Sequence, residues 1–150
     1  IEIGASAPEF TLPAHLGEPI TLGDYRGSKN VVLYSTFIPL QEVEHTKFFI
    51  PLYNDAFEEA DTQVLGISCN AKPAQTAFAS SLGSIPYPIL SDFYPHGKVC
   101  SDYGVLNEQT GVPVRAIIIV DKEGLVRFSK IYKAASDLNP SDILSEVAKL

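Results

Sequence analysis

Asn30-Val31-Val32-Leu33-Tyr34-Ser35-Thr36 is β-branched and almost continuously apolar. That composition belongs to a central strand covered on both faces, since a strand with one wet face would alternate. Val64-Leu65-Gly66-Ile67-Ser68 repeats the pattern, and Ala116-Ile117-Ile118-Ile119-Val120 repeats it again. Between the first two runs, Gln41 to Ala60 reads as helix, broken or restarted at Pro51 because proline lacks the N–H a helix interior needs. Pro73 to Leu82 reads as a second helix, opened by its proline and stopped by Gly83. Strand, helix and parallel strand make a βαβ unit. Further along come a short extended piece at Tyr87 to Asp92, a loop at Phe93-Tyr94-Pro95-His96-Gly97 and a short helix from Lys98 to Tyr103. Asp121-Lys122-Glu123-Gly124 is a hairpin turn that sends Leu125 to Ile131 back antiparallel to the third run. Asn139-Pro140-Ser141-Asp142 caps a final helix that reaches Leu150. Upstream, Phe10 to Leu12 and Ile20 to Leu22 flank His15-Leu16-Gly17 as a hairpin-like opening. The expected architecture is α/β: a mixed central sheet, helices on both faces and an N-terminal β-hairpin, in one domain spanning 1–150.

Composition narrows the partners. The 150 residues carry 11 Lys and Arg against 18 Asp and Glu, a net charge of −7 with no basic run, so phosphate attraction cannot drive binding and nucleic acid is not an expected partner. A content of 45% hydrophobic and 19% charged residues excludes a disordered chain. Ala116 to Val120 is the longest apolar stretch, far short of the roughly 20 residues a membrane helix needs, so no membrane span is expected. Cys69 and Cys100 are too few for a disulfide scaffold, lack metal-ligand spacing and suit a reducing, cytoplasmic compartment. Methionine is absent throughout, even at position 1. The expectation is a chain that is not the complete translation product, with a removed N-terminal segment left open.

Several linked stretches carry a family resemblance. They are Gly4-Ala5-Ser6-Ala7-Pro8-Glu9-Phe10-Thr11-Leu12, the region Leu22 to Leu33, Leu90-Ser91-Asp92-Phe93-Tyr94-Pro95-His96-Gly97, Tyr103-Gly104-Val105-Leu106-Asn107-Glu108-Gln109-Thr110-Gly111, and Arg115 through Arg127. Together they resemble the peroxiredoxins, thioredoxin-fold peroxidases, and most closely the one-cysteine alkyl hydroperoxide reductase E subgroup. The resemblance implies a thioredoxin-like fold over nearly the whole chain, and a homodimer or larger homo-oligomer in which the Phe93-Tyr94-Pro95-His96 loop takes part. Fold does not carry function with it.

In that family a Pro-x-x-x-Thr-x-x-Cys motif follows the first central strand and a distant arginine completes the site. The cysteine sits at a helix N-terminus, where the dipole and the arginine favour thiolate, and thiolate is the nucleophile. Counting from Val31 without a gap, the proline position falls on Phe37, the threonine position on Gln41 and the cysteine position on Glu44; of the four motif residues only Arg115 remains. A two-residue slip aligns Pro39 with the motif proline but puts Val43 and Thr46 at the other two positions. No cysteine lies between Val31 and Ile67, so no small shift recovers one. A carboxylate can fill the same electropositive pocket as a thiolate, but it is a weak nucleophile with no sulfenic acid to cycle through. Glu44 reads plainly as a helix N-terminal acid paired with Arg115, and alternatively as the permanent occupant of an anion pocket that organises a ligand or protein partner.

The remaining candidates each have a plainer reading beside the functional one. Glu42, Glu44 and His45 fall within four residues, but only Glu42 and His45 share a helical face and a third ligand, such as His96, would have to come from elsewhere. A solvated polar turn is the expectation, with no metal and no cofactor. Cys69 follows a parallel strand, at the carboxyl end where α/β active sites collect, so it is the alternative nucleophile; its plainer reading is a half-buried small residue. Cys100 reads as packing or interface, and Phe48, Phe49, Tyr53 and Phe57 as core or dimer-contact aromatics. There is no Cys-x-x-Cys, so nothing in the spacing supports thioredoxin-type disulfide exchange. Two functions stand: a peroxiredoxin-like binding, structural or regulatory protein without the catalytic motif, or an antioxidant oxidoreductase with weak or relocated thiol peroxidase activity through Cys69.

Overall fold

The computed structural model describes residues 1–35, 51–81, 85–94, 96–133 and 137–150. Its centre is a five-stranded mixed sheet. The three apolar runs form β3 (Asn30–Ser35), β4 (Thr62–Ser68) and β8 (Ala116–Val120), joined by β5 (Ile89–Ser91) and β9 (Val126–Ile131) in the order β5-β4-β3-β8-β9. Strand β3 runs parallel to β4 and β4 parallel to β5, whereas β8 is antiparallel to both β3 and β9. Every residue of β3 and β8 is buried, as their lack of alternation requires. Strand β9, at the edge, alternates and ends exposed at Lys130 and Ile131.

Period two divides the core. Val31, Leu33, Leu65, Ile67, Leu90, Ala116, Ile118 and Val120 face one side, with Phe10, Leu12, Cys100 and Tyr103. Val32, Tyr34, Val64, Ile89, Ile117 and Ile119 face the other, under α1 (Pro51–Glu59), α2 (Lys72–Ser81) and α4 (Pro140–Val147), which contribute Phe57, Phe78, Ile143 and Val147. The first side is closed by α3 (Lys98–Asp102) and by the two-residue hairpin β1 (Thr11–Leu12) and β2 (Ile20–Thr21). Helices therefore do cover both faces. Among the described residues α1 runs from Pro51, and α2 carries Pro73 in its first turn, where the missing N–H costs nothing. Asn139 caps α4, its side chain accepting from the Ser141 N–H at 3.0 Å. That helix ends at Val147, short of the expected Leu150. A second small hairpin, β6 (Leu106–Asn107) with β7 (Val112–Pro113), has too few residues to show a period and is a structural addition.

The edge of β5 is sealed by the chain segment just after β1. Ala14 bridges Leu90, the Ser91 N–H donates to the Pro13 carbonyl at 2.8 Å, and the Ile89 N–H donates to Nδ1 of His15 at 3.0 Å. His15 is buried, and desolvation together with the nearby Lys72 charge lowers its pKa below the usual imidazole value. Because Nδ1 accepts, the folded state holds the neutral ring, while the unfolded chain takes a proton at about pH 6.5. Unfolded chains then bind more protons between the two values, so this contribution is complete above pH 6.5 and fades as pH falls through the folded value. Urea midpoints measured from pH 7 to pH 5 are expected to fall more steeply for the wild type than for His15→Leu. Parallel slopes would remove His15 from the pH response.

Among the described residues, no helix is long and apolar enough to cross a membrane.

Candidate functional site

Strands β3, β4 and β5 point the same way, so their carboxyl ends open on one edge of the sheet, the place where α/β folds gather functional side chains. At the end of β3, Ser35 pairs with Ala116 and its hydroxyl donates to the Val114 carbonyl at 2.8 Å. This ties the segment before β8 to the end of β3. Arg115, half-buried between Val114 and Ala116, therefore stands where the chain passes into residues 36–50, and its carbonyl accepts the Tyr132 N–H at 2.8 Å. The motif positions Phe37, Gln41 and Glu44 lie outside the described residues. So do Glu42, His45, Phe48 and Phe49. His96, offered as a third metal ligand, is exposed in the 93–97 loop with its ring edge-on to Tyr94 at 5.6 Å.

One strand over, the end of β4 is held more tightly. The hydroxyl of Ser68 accepts from Nε2 of the fully buried Gln75 at 2.9 Å, and the same nitrogen donates to the Leu90 carbonyl at 2.8 Å. The Ser91 hydroxyl donates to the Asn70 carbonyl at 2.8 Å, and the Asp92 N–H to the Ser68 carbonyl at 2.8 Å. Cys69 is thus fixed through both of its chain neighbours. It is half-buried, as the sequence suggests for a small residue there.

Beyond β5 the chain makes a loop whose geometry Asp92 sets. Its carbonyl accepts the Gly97 N–H at 2.8 Å, and its carboxylate accepts the Cys100 N–H at 2.8 Å and the Val99 N–H at 3.3 Å. Two of the free donors at the start of α3 are satisfied by one side chain with 0% exposure. Gly97 opens that helix at φ 79°, the left-handed region that glycine occupies without strain. A Cβ at this position would lie 3.0 Å from Leu106 Cδ1 and 3.3 Å from the Cys69 sulfur. Having glycine here lets the first turn of α3 settle directly over Cys69.

The result is a cluster invisible in the sequence. The Sγ atoms of Cys69 and Cys100 and a carboxylate oxygen of Asp92 lie within 4.8 Å of one another. Cys100 is fully buried within the single chain, so it faces Cys69 and the core and not a subunit interface. The Cys100 thiol donates to the Cys69 sulfur, which lowers the Cys69 pKa although burial and the Asp92 charge oppose it. The pKa of Cys100 is pushed far up by the same hydrogen bond, by burial and by the adjacent carboxylate. The two thiols are thus shifted in opposite directions, the partly exposed one down and the buried one up. These three are also the one group of three potential metal ligands among the described residues, and both Asp92 oxygens are already engaged with the α3 backbone.

Thirty-one positions separate Cys69 from Cys100, so only the pairing of β5 beside β4 brings them together. The Asp92 spacing ahead of a short helix was the available signal. An aspartate whose next turn carries Gly97 can reach back over a helix start.

Comparison with known proteins places the chain. The AhpC/TSA family model matches residues 3–129. Alkyl hydroperoxide reductase E of Mycobacterium tuberculosis is 38% identical over 138 residues, covering 87% of this chain and 86% of that protein. The chloroplastic 2-cysteine peroxiredoxin of Chattonella marina var. antiqua is 32% identical over 156 residues, covering 96% and 77%. The crystal structure of Enterococcus faecalis AhpC superposes with a TM-score of 0.85 at 22% identity, covering 98% of this chain and 90% of that one, a likeness of fold. With its thioredoxin-like sheet, this chain belongs to the AhpC/TSA family of peroxiredoxins.

Proposed function

We propose that this chain is a peroxiredoxin-family protein without peroxidatic chemistry at the family's usual position, serving instead as a binding, structural or regulatory subunit. The observation that carries this is the lack of any cysteine between Val31 and Ile67, the stretch that follows the first central strand. By the gapless count Glu44 falls at the thiolate's position, and an anion there would find its partner in Arg115, just ahead of β8. A carboxylate cannot become a sulfenic acid that thiols then reduce. Phe93 and Tyr94, 55% and 75% exposed, are the aromatics through which the chain would form its homodimer.

Purified protein supplied with a thiol reductant is expected to consume hydrogen peroxide or alkyl hydroperoxides no faster than an equal concentration of free cysteine. Sustained turnover above that level overturns the reading. Glu44→Cys alone is expected to fall well short of family-like turnover, because Gln41 lacks threonine's short hydroxyl and Phe37 lacks the rigid proline ring. Robust peroxidase activity in that single variant would show that the other two positions are dispensable.

A second reading is favoured by one observation: Cys69 is partly exposed and its pKa is lowered by the hydrogen bond from Cys100, the direction a reactive thiol needs. It makes the chain an oxidoreductase with relocated thiol peroxidase activity. Peroxide consumption abolished by Cys69→Ser would select it.

A further inference from the structure

We propose that Cys69 and Cys100 form a dithiol–disulfide couple that exchanges with small organic disulfides, with Cys69 as the attacking sulfur and Cys100 as the resolving one. Three observations carry it. The two sulfurs and the Asp92 carboxylate converge within 4.8 Å, on three segments that the β4–β5 pairing and the Asp92 cap hold in place. Exposure is unequal: Cys69 is partly exposed, whereas Cys100 is 1% exposed, so of the two an external disulfide would meet Cys69. The wall beside the Cys69 sulfur is apolar backbone and side chain, Gly97 with Leu106, which suits the carbon substituents of an organic disulfide. This inference is independent of what occupies position 44 and of any reaction with peroxide.

The chemistry closes with the groups present. The Cys69 thiolate attacks one sulfur of RSSR; a Cys69–SR bond forms, the S–S bond of RSSR breaks, and RS⁻ leaves and takes a proton from water. The Cys100 sulfur then attacks the Cys69 sulfur: the Cys69–Cys100 bond forms, the Cys69–SR bond breaks, and the Cys100 proton passes to the departing RS⁻, which leaves as RSH. The protein dithiol loses two electrons and two protons, and one disulfide becomes two thiols. The long sequence separation means that closing the bond would cross-link the end of β4 to α3, tightening the edge of the sheet where Arg115 also stands.

The test equilibrates the reduced full chain in glutathione buffers of graded disulfide content, quenches with N-ethylmaleimide in denaturant and reads intact masses and peptide maps. The wild type is expected to pass in one step from two alkylated cysteines to none, with the loss of two hydrogens, no retained glutathione and one linked peptide pair containing Cys69 and Cys100. Cys100→Ser, and independently Cys100→Ala, is expected to accumulate glutathione on Cys69 at about tenfold or more the wild-type level. Cys69→Ser is expected to leave Cys100 unmodified. Glutathione persisting on wild-type Cys69, disulfides between chains, or adducts forming first on Cys100 would each overturn the proposal. So would two thiols that stay reduced, including a pair protected by stoichiometric zinc. The wild-type arm decides the matter even if a variant fails to fold, and it is read without peroxide.

Discussion

Replacing Asp92 by alanine is expected to destabilise the fold by about 3–5 kcal/mol, among the largest effects of any polar substitution in the chain. Its carboxylate is fully buried and holds the N–H groups of Val99 and Cys100, while α3 is only five residues long. Alanine leaves both donors buried without an acceptor, and charge-assisted bonds of this kind contribute about 1.5–3 kcal/mol each. Asp92→Asn keeps one acceptor oxygen and should lose roughly half as much. Urea unfolding at neutral pH measures both; a loss under about 1 kcal/mol for Asp92→Ala would show that α3 is not held by this cap.

The second large effect belongs to the sheet. Ile118 has 0% exposure and sits in β8 between Leu33 of β3 and Ser129 of β9. Ile118→Ala is expected to cost about 3–5 kcal/mol, the upper part of the usual range, because strands on both sides prevent collapse into the cavity. Ile131, at the end of β9 and 58% exposed, gives the contrast: its alanine variant should change stability by about 0.5 kcal/mol or less. Equal losses at the two positions would contradict the assignment of β8 as an interior strand of the sheet. The measurement is the same unfolding series.

These two residues also mark how far the sequence could be read. The Ile118 strand was legible to the residue, since five apolar residues ending at the Asp121 turn admit no other boundaries and the structure returns Ala116–Val120. Proline marked the first turn of α2, and Asn139 with Pro140 marked the start of α4, because those residues act through local backbone chemistry. The β6–β7 hairpin was not legible, since two residues a strand carry no period.

At the site, Cys69 was legible as a residue at the carboxyl end of a parallel strand, where the structure has it. The Cys69–Cys100–Asp92 cluster was not. Its existence depends on which strand lies beside β4 and on how a five-residue helix is capped, and both are tertiary facts. A reading that looks for Cys-x-x-Cys finds nothing in a chain whose two thiols meet only after folding.

The proposed lack of peroxide chemistry at the family's usual position has a direct test. Brief exposure of the reduced protein to stoichiometric hydroperoxide, quenched and read by mass spectrometry, tests it most directly, because it records every oxidised sulfur and the rate of its formation. Neither Cys69 nor Cys100 is expected to gain oxygen or form a disulfide faster than a free thiol does. A sulfenic acid or disulfide at Cys69 appearing at a second-order rate well above that of free cysteine, and lost in Cys69→Ser, would contradict it.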